Sequence, residues 1–389
     1  MQSLNNKLIL SVAGSGKTTY IVRQALAVIS DPVLITTYTE ANEKEIRKKF
    51  YELNGNIPEN ITIQTWFSFL LQHGVRPYQG GLFEGKINGM LLVNSTSGVK
   101  SKNSRGIAIT YKEEEDFDKY YFSPSFKLYS DKLSKFVVRC NEKSKGLLLQ
   151  RLSRVYRHIF VDEVQDLAGN DLEILKLIFN AKIRTILVGD PRQVTYLTHN
   201  ERKYAQYKNG KIKQFILDKC NKVCVVDELI LGRSHRNVKE ICSFSSKLYP
   251  QLTESLPCEC KDCRPIQTNH KGIYLIQNAQ VEEYRKLYAP TVLKPQLAVE
   301  PDWNYGNCKG LGFERVLIYP TKTIIKYLID GKLTKKIKNK YSGKTEEKDA
   351  FDIAKFYVAL TRARYSVAIV YDYKDETFIE GVVKWRANE

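Results

Sequence analysis

The chain has 389 residues, 43% of them hydrophobic, enough for two or more packed cores at about 100–200 residues each, so a single domain is not expected. Lys and Arg number 61 against 43 Asp and Glu, a formal net charge of +18 that points to a polyanionic partner; the basic residues are scattered and form no basic amphipathic helix, which argues against a membrane surface. There is no run of about 18 apolar residues and no charged-then-apolar leader, and eight cysteines in a chain with cores this large read as reduced thiols, so a soluble protein of the cytoplasm is expected.

Leu8-Ile9-Leu10 opens a series of short apolar, β-branched segments. Val33-Leu34-Ile35, Ile159-Phe160-Val161, Ile186-Leu187-Val188, Val223-Cys224-Val225-Val226, Val316-Leu317-Ile318 and Val367-Ala368-Ile369-Val370 continue it, with helical stretches between them. Buried parallel strands look like this, and the alternation predicts an α/β fold. Two polar or glycine-bearing stretches break the rhythm: Gly74 to Lys145, read as part of an inserted subdomain at about 74–150, and Leu252 to Asn304, read as a linking excursion. The Lys-rich stretch Lys332 to Lys348 reads as a solvated loop.

Directly after the first apolar run comes Ser11-Val12-Ala13-Gly14-Ser15-Gly16-Lys17-Thr18, with a helix predicted from near Thr19. Strand, glycine loop and helix together are the context a phosphate-binding loop requires. Glycines let backbone N–H groups close around phosphate oxygens, Lys17 reaches the outer phosphates, the Thr18 hydroxyl can ligate Mg²⁺, and the helix N-terminus adds its positive end. Ala13, Gly14, Ser15, Gly16, Lys17, Thr18 and Thr19 are therefore the candidate nucleotide-binding residues. Ser11 stands where Gly or Ala is usual and is nearly as small.

Ile159-Phe160-Val161-Asp162-Glu163-Val164-Gln165-Asp166 is an apolar strand ending in carboxylates. Alone it would read as a loop start or helix cap; paired with the phosphate loop it reads as a Walker B site. Asp162 is suited to hold Mg²⁺, and Glu163 to polarise an attacking water.

Asp162-Glu163-Val164-Gln165-Asp166 resembles the DExxQD box of UvrD/Rep-type superfamily 1 DNA helicases, and further boxes follow in the family's order. Thr37-Tyr38-Thr39-Glu40-Ala41-Asn42 resembles motif Ia, and Ile63-Gln64-Thr65-Trp66-Phe67-Ser68-Phe69 motif Ib. Val188-Gly189-Asp190-Pro191-Arg192-Gln193-Val194-Thr195-Tyr196 is similar to motif III, Ser234-His235-Arg236-Asn237 to motif IV, Lys309-Gly310-Leu311-Gly312-Phe313 to motif V and Tyr357-Val358-Ala359-Leu360-Thr361-Arg362-Ala363 to motif VI. The resemblance spans nearly the whole chain. It implies that Gln193 senses the γ-phosphate, that Arg236 and Arg362 act as arginine fingers beside Glu163, and that Thr37, Thr39, Trp66 and Tyr196 lie along a single DNA strand, the aromatics stacking on bases.

The chain departs from the family pattern at several points. Only sixteen residues precede Lys17, and Gln2 lies too close to it to serve as the family's adenine-reading glutamine. Thr198 stands where a base-stacking Trp is common, and Gly312 where motif V has Glu. The 73 positions from Arg236 to Lys309 are too few for the family's large mobile insertion.

The resemblance thus implies an α/β fold of two RecA-like P-loop NTPase domains with a reduced inserted subdomain. Residues 1–215 form the first domain, with about 74–150 as the insertion, and residues 216–389 the second, with about 252–304 as a reduced excursion. ATP and Mg²⁺ are the implied cofactors. Single-stranded or tailed duplex DNA is the implied partner, with 3′-to-5′ movement along it. Two alternatives stand beside this helicase reading: a DNA-stimulated regulatory ATPase without productive unwinding, and a helicase-like subunit of a bacterial anti-phage defence complex with an OLD-family nuclease. Cys258-Glu259-Cys260-Lys261-Asp262-Cys263, with His270 downstream, offers ligand types for structural Zn²⁺. It lacks a second C-x-x-C pair, so reduced loop cysteines remain the reading and no metal ligand is assigned there.

Overall fold

A strand that is apolar on both faces needs helices above and below it, and such strands assemble into parallel sheets joined by helical crossovers. The computed structural model shows this arrangement twice. It describes residues 6–104, 106, 108–195, 197–198, 203–331 and 352–387, and the backbone alone at 334–338 and 345–349. The chain divides into two units, one of Met1–Leu10 with Lys17–Leu229 and the other of Ser11–Gly16 with Ile230–Glu389.

In the first unit, β1 (Asn6–Ser11), β2 (Val33–Thr37), β3 (Ile61–Thr65), β4 (His158–Val161), β5 (Arg184–Gly189) and β6 (Cys224–Leu231) form one sheet in the order β6-β1-β5-β4-β2-β3. The pairs from β1 through β3 are parallel. Every residue of β2 is buried, as the apolar run predicts. Helix α1 (Lys17–Leu26) turns Ile21, Val22 and Ala25 inward, and α2 (Glu40–Asn54) turns Ile46 and Phe50 inward. Helix α2 starts on Thr39, whose hydroxyl accepts from the Asn42 N–H at 3.2 Å, and stops at Gly55 with φ +77°, where a left-handed residue closes the last turn.

The stretch read as an insertion contains the amphipathic helix α3 (Ser130–Lys143), which buries Leu133, Phe136, Val137 and Val138, followed by α4 (Leu147–Val155). Glu113 anchors its outer side, accepting from Tyr121 Oη at 2.8 Å and pairing with Lys135 at 2.6 Å and Arg139 at 2.8 Å. Burial opposes its charge, but these donors outweigh burial and hold the carboxyl down at about 2.

A second buried carboxylate ties α3 to the sheet unit. Asp171, fully buried at the start of α5 (Asn170–Phe179), accepts from Trp66 Nε1 at 2.7 Å, from Ser134 Oγ of α3 and from Thr198 Oγ1. Thr198 Oγ1 in turn accepts from the Ala168 N–H at 3.0 Å. This corrects the expectation for Trp66. Its side chain is 1% exposed and spends its N–H on Asp171, so no ring face is open for a base to stack on. It is a core residue of the first unit, packed beside Phe69.

In the second unit, β7 (Arg233–Ser234) pairs with β8 (Leu256–Pro257). A six-stranded sheet is built from β9 (Gly272–Ile276), β10 (Thr291–Lys294), β11 (Trp303–Asn304), β12 (Phe313–Ile318), β13 (Ala363–Val370) and β14 (Val382–Lys384), in the order β11-β10-β12-β13-β9-β14. All its pairs are parallel. The stretch 252–304, read as an excursion, therefore supplies three strands of this sheet. It also supplies helix α6 (Val281–Tyr288), whose Val281 and Tyr284 are buried. Gly272 and the flanking polar residues masked the apolar run Ile273–Ile276. Of the Lys-rich stretch, Thr334–Lys338 and Thr345–Asp349 pair antiparallel; the remainder lies outside the described residues.

Two histidines sit inside this framework as neutral groups. His73 packs between Phe69 and Tyr156 with ring centroids 5.8 and 5.3 Å away, and His270 stacks on Tyr274 at 4.2 Å and on Tyr288 at 3.8 Å. Burial, then the nearby charges of Arg151 and Arg315 respectively, push both down to about 4. Because the folded value lies below that of a free histidine, their contribution to stability is complete above about pH 6.5 and is lost as pH falls toward 4. The urea midpoint should hold steady from pH 8 to 7 and drop between 6.5 and 4.5, less steeply in His270→Phe; a midpoint unchanged down to 4.5 would contradict the assignment. Trp66→Phe keeps an aromatic ring, though one smaller than the indole, and removes one donor from buried Asp171; it should lower unfolding stability by about 1–3 kcal/mol, with no change as the contradicting result.

Candidate nucleotide-binding site

Ser11 ends β1, and α1 begins at Lys17, two residues earlier than predicted, so the helix N-terminus opens directly onto the glycine loop. Gly14 and Gly16 have φ of +72° and +81°, the left-handed region that glycine enters without strain. Gly14 is also demanded by close approach, since a Cβ there would meet Arg236 Cβ at 2.6 Å and Ser234 Oγ at 2.9 Å. The loop is pinned by its own backbone. Val12 N–H donates to Leu231 O at 3.0 Å, Ser15 N–H to Val12 O at 3.2 Å, and His235 N–H to Gly14 O at 2.8 Å. Ala13 is buried and Thr18 and Thr19 are half-buried in the first turn of α1.

The carboxylates follow β4. Asp162 is buried, and its N–H donates to Thr36 O at 2.8 Å across to β2. Glu163 takes a left-handed conformation, φ 54° and ψ 39°, which a non-glycine residue adopts only when its surroundings enforce it. In that conformation its N–H donates to Asp162 Oδ1 at 2.9 Å, Lys17 Nζ lies 3.5 Å from Oε1, and Gln165 Nε2 donates to Oε2. Burial, then the neighbouring Glu163 charge, raises the Asp162 carboxyl well above the usual carboxylate range, with Lys17 pulling the other way.

No role follows for Gln165 from sequence alone, yet it joins two loops. Besides donating to Glu163, it lies so close to the end of β5 that a Cβ on Gly189 would meet Gln165 Oε1 at 2.3 Å. Just past Gly189, Asp190 accepts from Gln193 Nε2 at 2.8 Å and from the Arg192 N–H at 3.1 Å. Gln193 is thereby held, 3% exposed, a few residues from the strand end that touches the loop after β4. Tyr196 lies outside the described residues. Thr37 is buried with its hydroxyl unpartnered among the described residues, and the Thr39 hydroxyl is engaged as the cap of α2.

The second unit brings both arginines together. Arg236 Nη1 donates to Thr361 O at 3.3 Å, and the adjacent Arg362 is 2% exposed, with Nε donating to Val358 O and Nη1 to Leu311 O, each at 3.0 Å. A Cβ on Gly312 would sit 3.1 Å from Arg236 Nε, so the guanidinium takes the room beside this glycine. Glu314 pairs instead with Arg364 at 2.8 Å.

The donor set fits a nucleoside triphosphate with a divalent cation. Two positive-φ glycines shape a backbone cradle, the Ser15 hydroxyl is buried without a partner among the described residues, and a lysine faces two adjacent carboxylates, one of them buried.

Parts of the chain are similar to known proteins. The family model for the UvrD/REP helicase N-terminal domain matches residues 95–200. The RecB subunit of the RecBCD enzyme of Borreliella burgdorferi is 25% identical over 163 residues, a match covering 38% of this chain and 13% of that protein. Among solved structures, the helicase nonstructural protein 10 of an arterivirus is 14% identical with a TM-score of 0.45, covering 96% of this chain and 61% of the other. The same viral helicase in complex with DNA is 13% identical with a TM-score of 0.46, at 96% and 62% coverage. The chain thus matches a small part of the curated relative and about three fifths of the solved helicases. Among the described residues no helix is long and apolar enough to cross a membrane. Residues 95–200 are thus similar to the UvrD/REP helicase N-terminal domain, and each unit of the chain is built on an α/β sheet.

Proposed function

We propose that this chain hydrolyses ATP and uses the cycle to move along single-stranded DNA. The observation that carries the reading is the Lys17 ammonium 3.5 Å from Glu163, beside buried Asp162, at the mouth of a glycine-shaped loop on a helix N-terminus. Lys17 and the loop N–H groups hold the phosphates, while Thr18 and Asp162 are the residues that would hold Mg²⁺. Bound there, the cation neutralises charge on the phosphate oxygens. Glu163, released from Lys17 when the phosphates take over that ammonium, orients a water and accepts its proton. Gln193 is positioned by Asp190 to register the outer phosphate, and the Gln165–Gly189 contact carries that state to Glu163.

Arg236 and Arg362 are the guanidinium groups suited to stabilise charge that grows in the transition state, being permanently charged and forked. A net charge of +18 supports a polyanionic track, and the resemblance of the ordered motifs to those of UvrD/Rep-type helicases is what implies DNA as that track and 3′-to-5′ as the direction. With no room for a large insertion between Arg236 and Lys309, the isolated chain translocates well but opens duplex weakly, since each base-pair step resists by about 1.4 kcal/mol.

Single-strand-stimulated ATPase should fall about 10²–10³-fold in Lys17→Ala, which removes the ammonium from the phosphate site. In Arg362→Ala it should fall by about 10³ while nucleotide affinity changes little. Near-wild-type turnover in both variants, or turnover indifferent to single-stranded DNA, would overturn the reading. Stopped-flow translocation and strand displacement on one preparation should give the first without processive unwinding.

A further inference from the structure

We propose that His235, Cys258, Cys260 and Cys263 form a structural zinc site that clamps the segment carrying Arg236. In chain order the one histidine downstream of this cluster is His270, the fourth ligand type that the sequence offers. The fold removes His270 from consideration and supplies another. His270 lies stacked on two tyrosine rings with Nε2 hydrogen-bonded to Tyr284 Oη at 2.8 Å, whereas His235, from the other side of the β7–β8 pair, places Nδ1 3.4 Å from Cys263 Sγ.

The geometry is that of a tetrahedral site before contraction. The ligand atoms of His235, Cys258 and Cys263 lie within 4.8 Å of one another. With Zn–S near 2.3 Å and Zn–N near 2.0 Å, a tetrahedral ion holds sulfur and nitrogen about 3.5 Å apart and two sulfurs about 3.8 Å apart. The His235–Cys263 separation already meets this value, and the remaining closure is of the order of 1 Å. Cys260 is exposed on the same short loop, beyond the three residues whose ligand atoms lie within 4.8 Å of one another, and a movement of that exposed loop would bring it in as the fourth ligand of a Cys₃His set.

The framework around the cluster is built to hold thiolates. Cys258 N–H donates to Ser234 O at 2.9 Å, locking the loop onto the strand that precedes His235. Arg264 wraps the same turn. Its Nη1 donates to the carbonyls of Ser234 and Asn237, each at 3.3 Å, and its Nη2 donates to Cys258 O and lies 3.5 Å from Cys258 Sγ. Three thiolates on Zn²⁺ leave one net negative charge, and the Arg264 guanidinium beside Cys258 offsets it.

The consequence reaches the nucleotide loop. His235 is bonded through its own N–H to Gly14 O at 2.8 Å and precedes Arg236, whose Cβ packs where a side chain on Gly14 would be. Fixing the His235 imidazole to the cysteine loop fixes the backbone from Ser234 to Asn237, and with it the start of the Arg236 side chain.

Zinc content is measured without nucleotide or DNA, so this proposal stands or falls separately from the motor reading. Full-length wild-type chain, purified under reductant without chelator, should carry about one zinc per chain by elemental mass spectrometry. Exchanged with Co²⁺, it should show thiolate-to-cobalt charge transfer and the visible bands of tetrahedral cobalt. Cys258→Ser and Cys263→Ser should lose most of the zinc, Cys260→Ser should bind it more weakly, and His270→Phe should retain it. Folded wild-type protein without zinc and without a cobalt spectrum, or with a disulfide within the cluster under these conditions, would overturn the site. Undiminished zinc affinity in Cys260→Ser would overturn the four-ligand assignment.

Discussion

The Lys17 ammonium and the Glu163 carboxylate lie 3.5 Å apart, each only about a tenth exposed, and much of the first unit is arranged to make that meeting possible. Lys17 arrives as the first residue of α1 because the loop before it can turn through two positive-φ glycines. Glu163 arrives because its backbone is held left-handed, with Asp162 accepting its N–H and Gln165 gripping its second oxygen. The pair solves an electrostatic problem, since a largely buried lysine and a largely buried carboxylate each carry a charge that is costly to leave unpaired. The same arrangement crowds Asp162, buried and next to a second carboxylate, and a divalent cation bound there would relieve that crowding.

Packing as well as charge joins this pair to its surroundings. Gly189 lacks a side chain where one would collide with Gln165, so the end of β5 and the loop after β4 touch directly. Asp190, one residue further, fixes Gln193 and Arg192. The loop that carries Glu163 thus packs, through Gln165, against the strand end that leads into Asp190. Thr198 is itself bound to Asp171 together with Trp66 and Ser134. A buried acid with several donors keeps those loops in one arrangement, because losing any donor leaves charge unsatisfied.

How much was legible in sequence follows from range. The seven apolar runs lie in strands, and the phosphate loop lies between strand and helix, because both signals are local: β-branched residues in a short run, and glycines at fixed offsets before a lysine. Trp66 was misread because its neighbours form a motif whose aromatics stack on bases in the family it resembles. What decides its role is Asp171, 105 residues away, and no local pattern reports that hydrogen bond. The strands at 272–276 and 291–294 were missed for a related reason, since a five-residue and a four-residue run flanked by polar residues is read as loop until neighbouring strands cover it. His235 escaped as a partner of the cysteine cluster because it lies more than twenty residues before Cys258 and is brought to it only by the pairing of β7 with β8.

The central claim is that Glu163 is paired with Lys17 in the free chain and is given over to water when phosphates occupy that lysine. Glu163→Gln tests it with two readouts on one variant, equilibrium binding of Mg²⁺–ATP and single-turnover hydrolysis. Removing the carboxylate frees the ammonium and takes one negative charge from the phosphate site. The variant should therefore bind nucleotide as tightly as the wild type or more so, while hydrolysis falls by about 10²-fold or more. Weakened binding together with near-wild-type hydrolysis would contradict the account.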